Sequence, residues 1–160
     1  MRFVLYSEKT VAQCMSALTE RMEARPTKTR PELKGKVEKG GRFEIAVTLP
    51  VVARIKRTTQ MKGVAGREKG ITVIRGYVPD GVPPYWQRII LGGVVIVALL
   101  LLVAGQPLIG LLALLGGAAA YIPMAGDYRN SDILLIEVER TFKANPKPPK
   151  RVRDKFAKQR

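Results

Sequence analysis

The chain has no histidine and a single cysteine among its 160 residues. The first absence removes the commonest general base and the commonest nitrogen ligand for metals. The second leaves too few thiolates for zinc or iron–sulfur ligation within one chain. It also excludes an intramolecular disulfide framework, which fits a reducing compartment. Acidic side chains are scarce, 13 against 28 Lys and Arg, and aromatics make up 6% of residues. The net charge of +15 suits a polyanion, but aromatics are few and no RNA-binding module is recognised, so nucleic acid is the weaker expectation, a ribosome-contacting tail being the form it would take. The glycines of "KGVAGREKG" form neither a Walker pattern nor a dinucleotide fingerprint and read as turn residues. Glu137 and Glu139 are the closest paired carboxylates, but two positions apart on a helix they point differently. The expectation is a non-catalytic protein with no cofactor and no metal site.

Charge is also missing from one long stretch. From Ile89 to Gly126, 38 positions bracketed by Arg88 and Asp127, no residue is charged. A single straight helix of that length would reach roughly 57 Å, nearly twice a hydrocarbon core of about 30 Å. Halved, the run gives two segments of about the bilayer thickness. The break falls at Gly105, Gln106 and Pro107, where Gly105 can take a left-handed conformation and Pro107 suits a first helical turn. The sequence predicts a two-helix transmembrane hairpin over 85–126, with spans near 86–104 and 107–124. A soluble core hairpin is the rival, but a short and otherwise heavily charged chain cannot wrap two helices that are apolar on all faces. Tyr85, Trp86 and Arg88 before the first span and Tyr121 near the end of the second read as interface anchors. Gly92, Gly93, Gly110, Ala113, Gly116, Gly117 and Ala120 are small residues of the kind that let helices approach closely in lipid.

Lys and Arg number 18 before Ile89 and 10 after Gly126, with none in the connection, so both flanks are expected in the cytoplasm. The start "MRFVLYSEK" shows no secretory signal, and insertion is expected to use the internal hairpin.

Residues 1–84 read as a cytoplasmic α+β domain. "RFVLY" alternates like a strand. Thr10 and Gln13 have capping-box spacing, and Val11, Met15, Leu18 and Met22 form a helical stripe that Pro26 limits. Cys14 lies beside that stripe and reads as a small buried hydrophobe. "LKGKVEKGGRFEIAV" and "MKGVAGREKGITVIRGYV" both pass from an apolar-Lys-Gly start through a glycine turn into an alternating strand, as in antiparallel hairpins. Phe43, Ile45 and Val47 share a face, as do Ile71 and Val73 with Ile74 opposite, and "VVARIKRTT" between the repeats reads as a further strand. Together these imply a small antiparallel sheet with a covering helix. Segment 127–144 is expected to be an amphipathic helix capped at Asn130 or Ser131, placing Leu134, Leu135, Val138 and Phe142 on one stripe. A strand is the rival there, because Leu134, Ile136 and Val138 also alternate. Either way these residues need the earlier sheet as partner, so the hairpin would interrupt one unit.

The tail 145–160 holds Lys147, Lys150, Arg151, Arg153, Lys155, Lys158 and Arg160 and three prolines, and is expected to be flexible. Such a tail suits anionic lipid headgroups. This order of elements resembles small uncharacterised bacterial membrane proteins in which a two-helix transmembrane hairpin interrupts a cytoplasmic α+β domain; the resemblance implies architecture and brings no site residues. Two functions follow as expectations. One is an accessory subunit of a larger membrane complex, held by the lipid bilayer and by other membrane subunits. The other is a stand-alone membrane-anchored module that binds or senses a lipid or other apolar ligand.

Overall fold

The computed structural model describes residues 1–27, 30–52 and 54–149. The elements run β1 (Arg2–Ser7), α1 (Val11–Glu23), β2 (Leu33–Val37), β3 (Arg42–Val52), β4 (Ile55–Glu68), β5 (Ile71–Tyr77), α2 (Pro84–Val103) and α3 (Pro107–Phe142). The five strands form one antiparallel sheet in the order β1-β5-β4-β3-β2.

The α+β reading and both glycine hairpins hold. α1 begins with the predicted capping box: the Gln13 amide donates to Thr10 Oγ1 (3.2 Å) and the Thr10 amide donates to Gln13 Oε1 (2.9 Å). Its buried line is Cys14, Leu18 and Arg21, while Val11, Met15 and Met22 sit half-buried at the margin. The second repeat turns at Lys69 and Gly70, both with positive φ, as a two-residue hairpin requires. "VVARIKRTT" is not a single strand. It straddles a turn, because β3 ends at Val52 and β4 starts at Ile55. A register shift between Pro50 and Val52 marks a β-bulge there, a place that tolerates a proline lacking its N–H.

One rung across the sheet explains two glycines. Phe3 pairs with Gly76, Gly76 with Gly63, and Gly63 with Phe43. A Cβ on Gly63 would stand 2.3 Å from the Phe43 ring, and one on Gly76 would stand 2.4 Å from Phe3. The two rings lie over the bare backbone and fill the space that side chains would occupy. Phe43 also meets Phe142 edge to face, with ring centroids 5.6 Å apart.

One face of the sheet is covered by α1 and by the C-terminal part of α3. Leu134, Val138 and Phe142 are fully buried against Ile45, Met61, Ile74 and their neighbours. Each such side chain contributes about 1.5–3 kcal/mol by leaving water. The predicted partnership between 127–144 and the earlier sheet is therefore present, and its helical reading holds. The predicted helix start does not. α3 continues from Pro107 through Pro123 to Phe142 without a break, so the second apolar segment and the amphipathic segment are one helix. Asn130 and Ser131 cap nothing. Both are buried in mid-helix, Asn130 bonded to the sheet and Ser131 to the linker after it and to its own helix, as described below.

Candidate functional site

Two helices, Pro84–Val103 and Pro107–Phe142, are long and apolar enough to cross a membrane. They form a hairpin closed at the predicted turn, where Gly105 has φ +75° and Pro107 opens α3. The Gln106 amide reaches back to the Leu101 carbonyl at 2.9 Å, satisfying the end of α2.

The small residues divide by direction. Gly110 and Gly117 face α2: an added Cβ would stand 2.9 Å from the Ala98 carbonyl oxygen and 2.6 Å from Val94 Cγ1 respectively. Ala113 is half-buried on the same line. Gly92, Gly93 and Gly116 have open space where a Cβ would go, and Ala120 is exposed. These four look outward. The remaining surface is apolar and uncovered, with Val103 89% exposed, and only 11% and 6% of the most apolar windows of α2 and α3 are buried.

Tyr85 and Trp86 occupy the first turn of α2, both exposed, with rings edge to face at 5.7 Å. Arg88 is exposed one turn on, and Tyr121 is half-buried on α3. Lys147 is exposed, and Lys150, Arg151, Arg153, Lys155, Lys158 and Arg160 lie outside the described residues.

Where α3 leaves its apolar part, a polar junction fastens it to the sheet. Arg57 on β4 donates from Nε and Nη2 to the two carboxylate oxygens of Asp127, at 2.9 and 2.7 Å, and Thr59 Oγ1 donates to the same carboxylate at 2.6 Å. Asn130 Nδ2 donates to the Arg57 carbonyl at 2.9 Å, and the Ser131 hydroxyl lies against the Asp127 and Pro79 carbonyls. Burial alone would raise the Asp127 pKa, but the hydrogen bonds from Arg57 and Thr59 and the Arg57 charge outweigh it, so the carboxyl is held below its ordinary range. Gly126 permits this approach, since a Cβ there would stand 2.8 Å from both Arg57 and Val51. Gly81 does the same for the linker before α2, where a Cβ would meet the Tyr128 amide nitrogen at 2.0 Å.

The second attachment is deeper. Arg21 Nε donates to Glu137 Oε2 at 2.8 Å, with both side chains almost fully buried, and Arg21 Nη2 donates to the Pro31 carbonyl. Glu137 is thus consumed as a structural ion pair between α1 and α3. Cys14 is fully buried, and burial raises its pKa despite the opposing contact with Ser7.

Sequence reading singled out Asn130 and Ser131 as helix caps and Glu137 as a neighbour of Glu139, but gave none of them a place in a junction, and Arg21, Arg57 and Thr59 were not singled out. The available signal was a set of polar residues, Asp127, Asn130, Ser131 and Glu137, recurring at helical spacing along an otherwise apolar face.

On the opposite sheet face Ile71 and Val73 are buried beside Tyr6, whereas Val4, Val64 and Tyr77 are exposed. A shallow groove of about 440 Å³ crosses its exposed part, bounded by Arg2, Glu38, Arg42, Glu44, Lys62, Val64, Arg75 and Tyr77. Lys62 pairs with Glu44 and Arg75 with Glu68, whereas among the described residues neither Arg2 nor Arg42 has an acidic partner within ion-pair distance. Among the described residues, no group of three or more His, Cys, Asp or Glu is placed to hold a metal.

The fold and hairpin together define an α+β chain with two long apolar helices. Compared with known families, curated proteins and solved structures, it matches none.

Proposed function

We infer that this chain is a non-catalytic integral membrane protein, held by α2 and α3 as a two-span hairpin with both ends in the cytoplasm, and that it serves as an accessory subunit of a larger membrane complex. The observation that carries this reading is the near-complete exposure of the hairpin, whose apolar windows are 11% and 6% buried. A core helix in water would be covered by its own chain, and this surface has only lipid or another subunit to cover it. The outward Gly92, Gly93 and Gly116 leave shallow places where a partner helix can come close. The excess of Lys and Arg on both flanks supports the orientation. Purification from native membranes in mild detergent tests the subunit role. Defined co-purifying membrane proteins are expected, and a lone monomer overturns it.

A second reading is favoured by the groove, where Arg2 and Arg42, which have no acidic partner within ion-pair distance among the described residues, flank Val64 and Tyr77. There the protein is a stand-alone module that binds or senses a lipid or other ligand with an apolar body and an anionic group. Native mass spectrometry would then show a retained small molecule that is lost in Arg2→Ala with Arg42→Ala.

A further inference from the structure

The three hairpin turns of the sheet differ in chemistry. The β2–β3 turn carries Glu38, Lys39, Gly40 and Gly41, and the β4–β5 turn carries Glu68, Lys69 and Gly70, as expected for turns in water. The β3–β4 hairpin instead presents Val52 and Ile55 at its end, 44% and 48% exposed, flanked by exposed Arg54 and Lys56.

Its position follows from two contacts. Arg57 meets Asp127, and fifteen residues further along α3 Phe142 meets Phe43, which pairs with Gly63 of β4, so β4 and this part of α3 run in the same direction. Going backward along β4 from Arg57 therefore leads toward the apolar part of α3. Two strand residues cover about 6 Å, so Ile55 and its pairing partner Val52 project by about that much past the Asp127 level. The Val51 side chain rests against Gly126, the last uncharged residue of the run. The first turn of α2, with Tyr85 and Trp86, is held at the same level through the Val82 amide and the Met124 carbonyl, 3.2 Å apart.

We propose that the end of the β3–β4 hairpin is a third membrane contact, in which Val52 and Ile55 enter the interface of an anionic cytoplasmic leaflet while Arg54 and Lys56 meet its headgroups. The inference rests on the two-span reading and extends it. Interfacial elements bury apolar side chains by about 5–10 Å at the headgroup boundary, which matches the projection derived above. Apolar residues bracketed by cations fit that layer, with side chains aimed into the acyl boundary and charge kept among phosphates. The bulge at Pro50 to Val52 is the local device that bends the strand end against α3.

The test uses the full chain in vesicles of phosphatidylcholine, with and without phosphatidylglycerol. Val52→Cys, Ile55→Cys, Lys39→Cys and Val97→Cys each carry an environment-sensitive fluorophore, and nitroxide lipids quench at shallow or deep positions. Cys14 stays in place, because a buried thiol that remains unlabelled reports an intact fold in every variant. Shallow quenching at 52 and 55, none at 39, and deep quenching at 97 is the expected result. Deep quenching at 97 with positions 52 and 55 as unaffected as 39 overturns this proposal and leaves the hairpin reading standing. No quenching at 97 overturns the two-span reading itself. With phosphatidylglycerol present, Arg54→Gln and Lys56→Gln should lower the ratio of docked to undocked hairpin by about fivefold for each charge lost. Quenching at 52 that ignores both lipid charge and these substitutions overturns the anionic headgroup contact.

Discussion

Asp127 and Arg57 lie 70 positions apart in sequence and meet through two parallel hydrogen bonds of 2.7 and 2.9 Å, at the level where α3 passes from apolar to amphipathic. The pair joins the sheet to the hairpin at one point, and its titration has a defined sign. A carboxyl whose pKa is lowered on folding adds stability that is fully present above its ordinary value, 3.8, and is lost as the pH falls through the lowered one. Asp127→Asn should therefore lower the thermal midpoint at neutral pH. The difference from the parent should shrink toward zero in strong acid. Removing the charged acceptor is expected to cost about 2 kcal/mol, measured by denaturation in detergent from neutral pH downward. A difference that stays constant across that range would mean the pair does not titrate as described.

Glu137 and Arg21 present the opposite situation, a pair withdrawn from water on both sides. Glu137→Ala leaves a buried guanidinium without its partner and should cost about 3–5 kcal/mol. Combining it with Arg21→Met removes the stranded charge, so the double variant should recover most of that loss. A double-mutant cycle reads the coupling directly. Additive losses would show that the ion pair contributes little.

Two adjacent glycines separate packing within the hairpin from packing on its outward face, where the proposed partner helix would lie. Gly117→Leu drives a side chain into Val94 and should part α2 from α3, lowering stability in detergent by about 1–3 kcal/mol. Gly116→Leu meets open space and should leave stability nearly unchanged while weakening co-purification of partner subunits. If both variants retain every partner, the outward face is not the interface.

Single cysteines at Gln106, Glu38 and Lys147, all exposed positions, report orientation. In intact cells a membrane-impermeant thiol reagent should label only position 106. Labelling at 38 and 147 in place of 106 inverts the topology, and labelling at just one of those two excludes an even number of crossings.

The strands, the capping box and the hairpin turn were legible because each is fixed by local chemistry: alternation in "RFEIAV", the Thr10 to Gln13 spacing, and a glycine followed by a proline at 105–107. The continuity of α3 was not. Asn130 and Ser131 are good caps in isolation, and their partners Arg57, Thr59 and the Pro79 carbonyl, distant in sequence, join the Asp127 carbonyl one turn back in holding them inside a helix. The β3–β4 turn was missed for the converse reason. Val51, Val52 and Ile55 look like strand residues, and nothing local marks that they surround a turn. The outward and inward glycines of the hairpin share one composition, so their division needed the register of α2 on α3.

The order of the core in the chain has a consequence for biogenesis. Phe43, Ile45, Met61 and Ile74 are made before either apolar helix, whereas Leu134, Val138 and Phe142, which cover them, are made after both. During synthesis the inner face of the sheet has only α1 as cover until the apolar helices have left the ribosome and the end of α3 can pack on it. Completion of the sheet's core is thereby made conditional on synthesis of the apolar helices. A chain stopped before Leu134 would lack the second cover of that inner face.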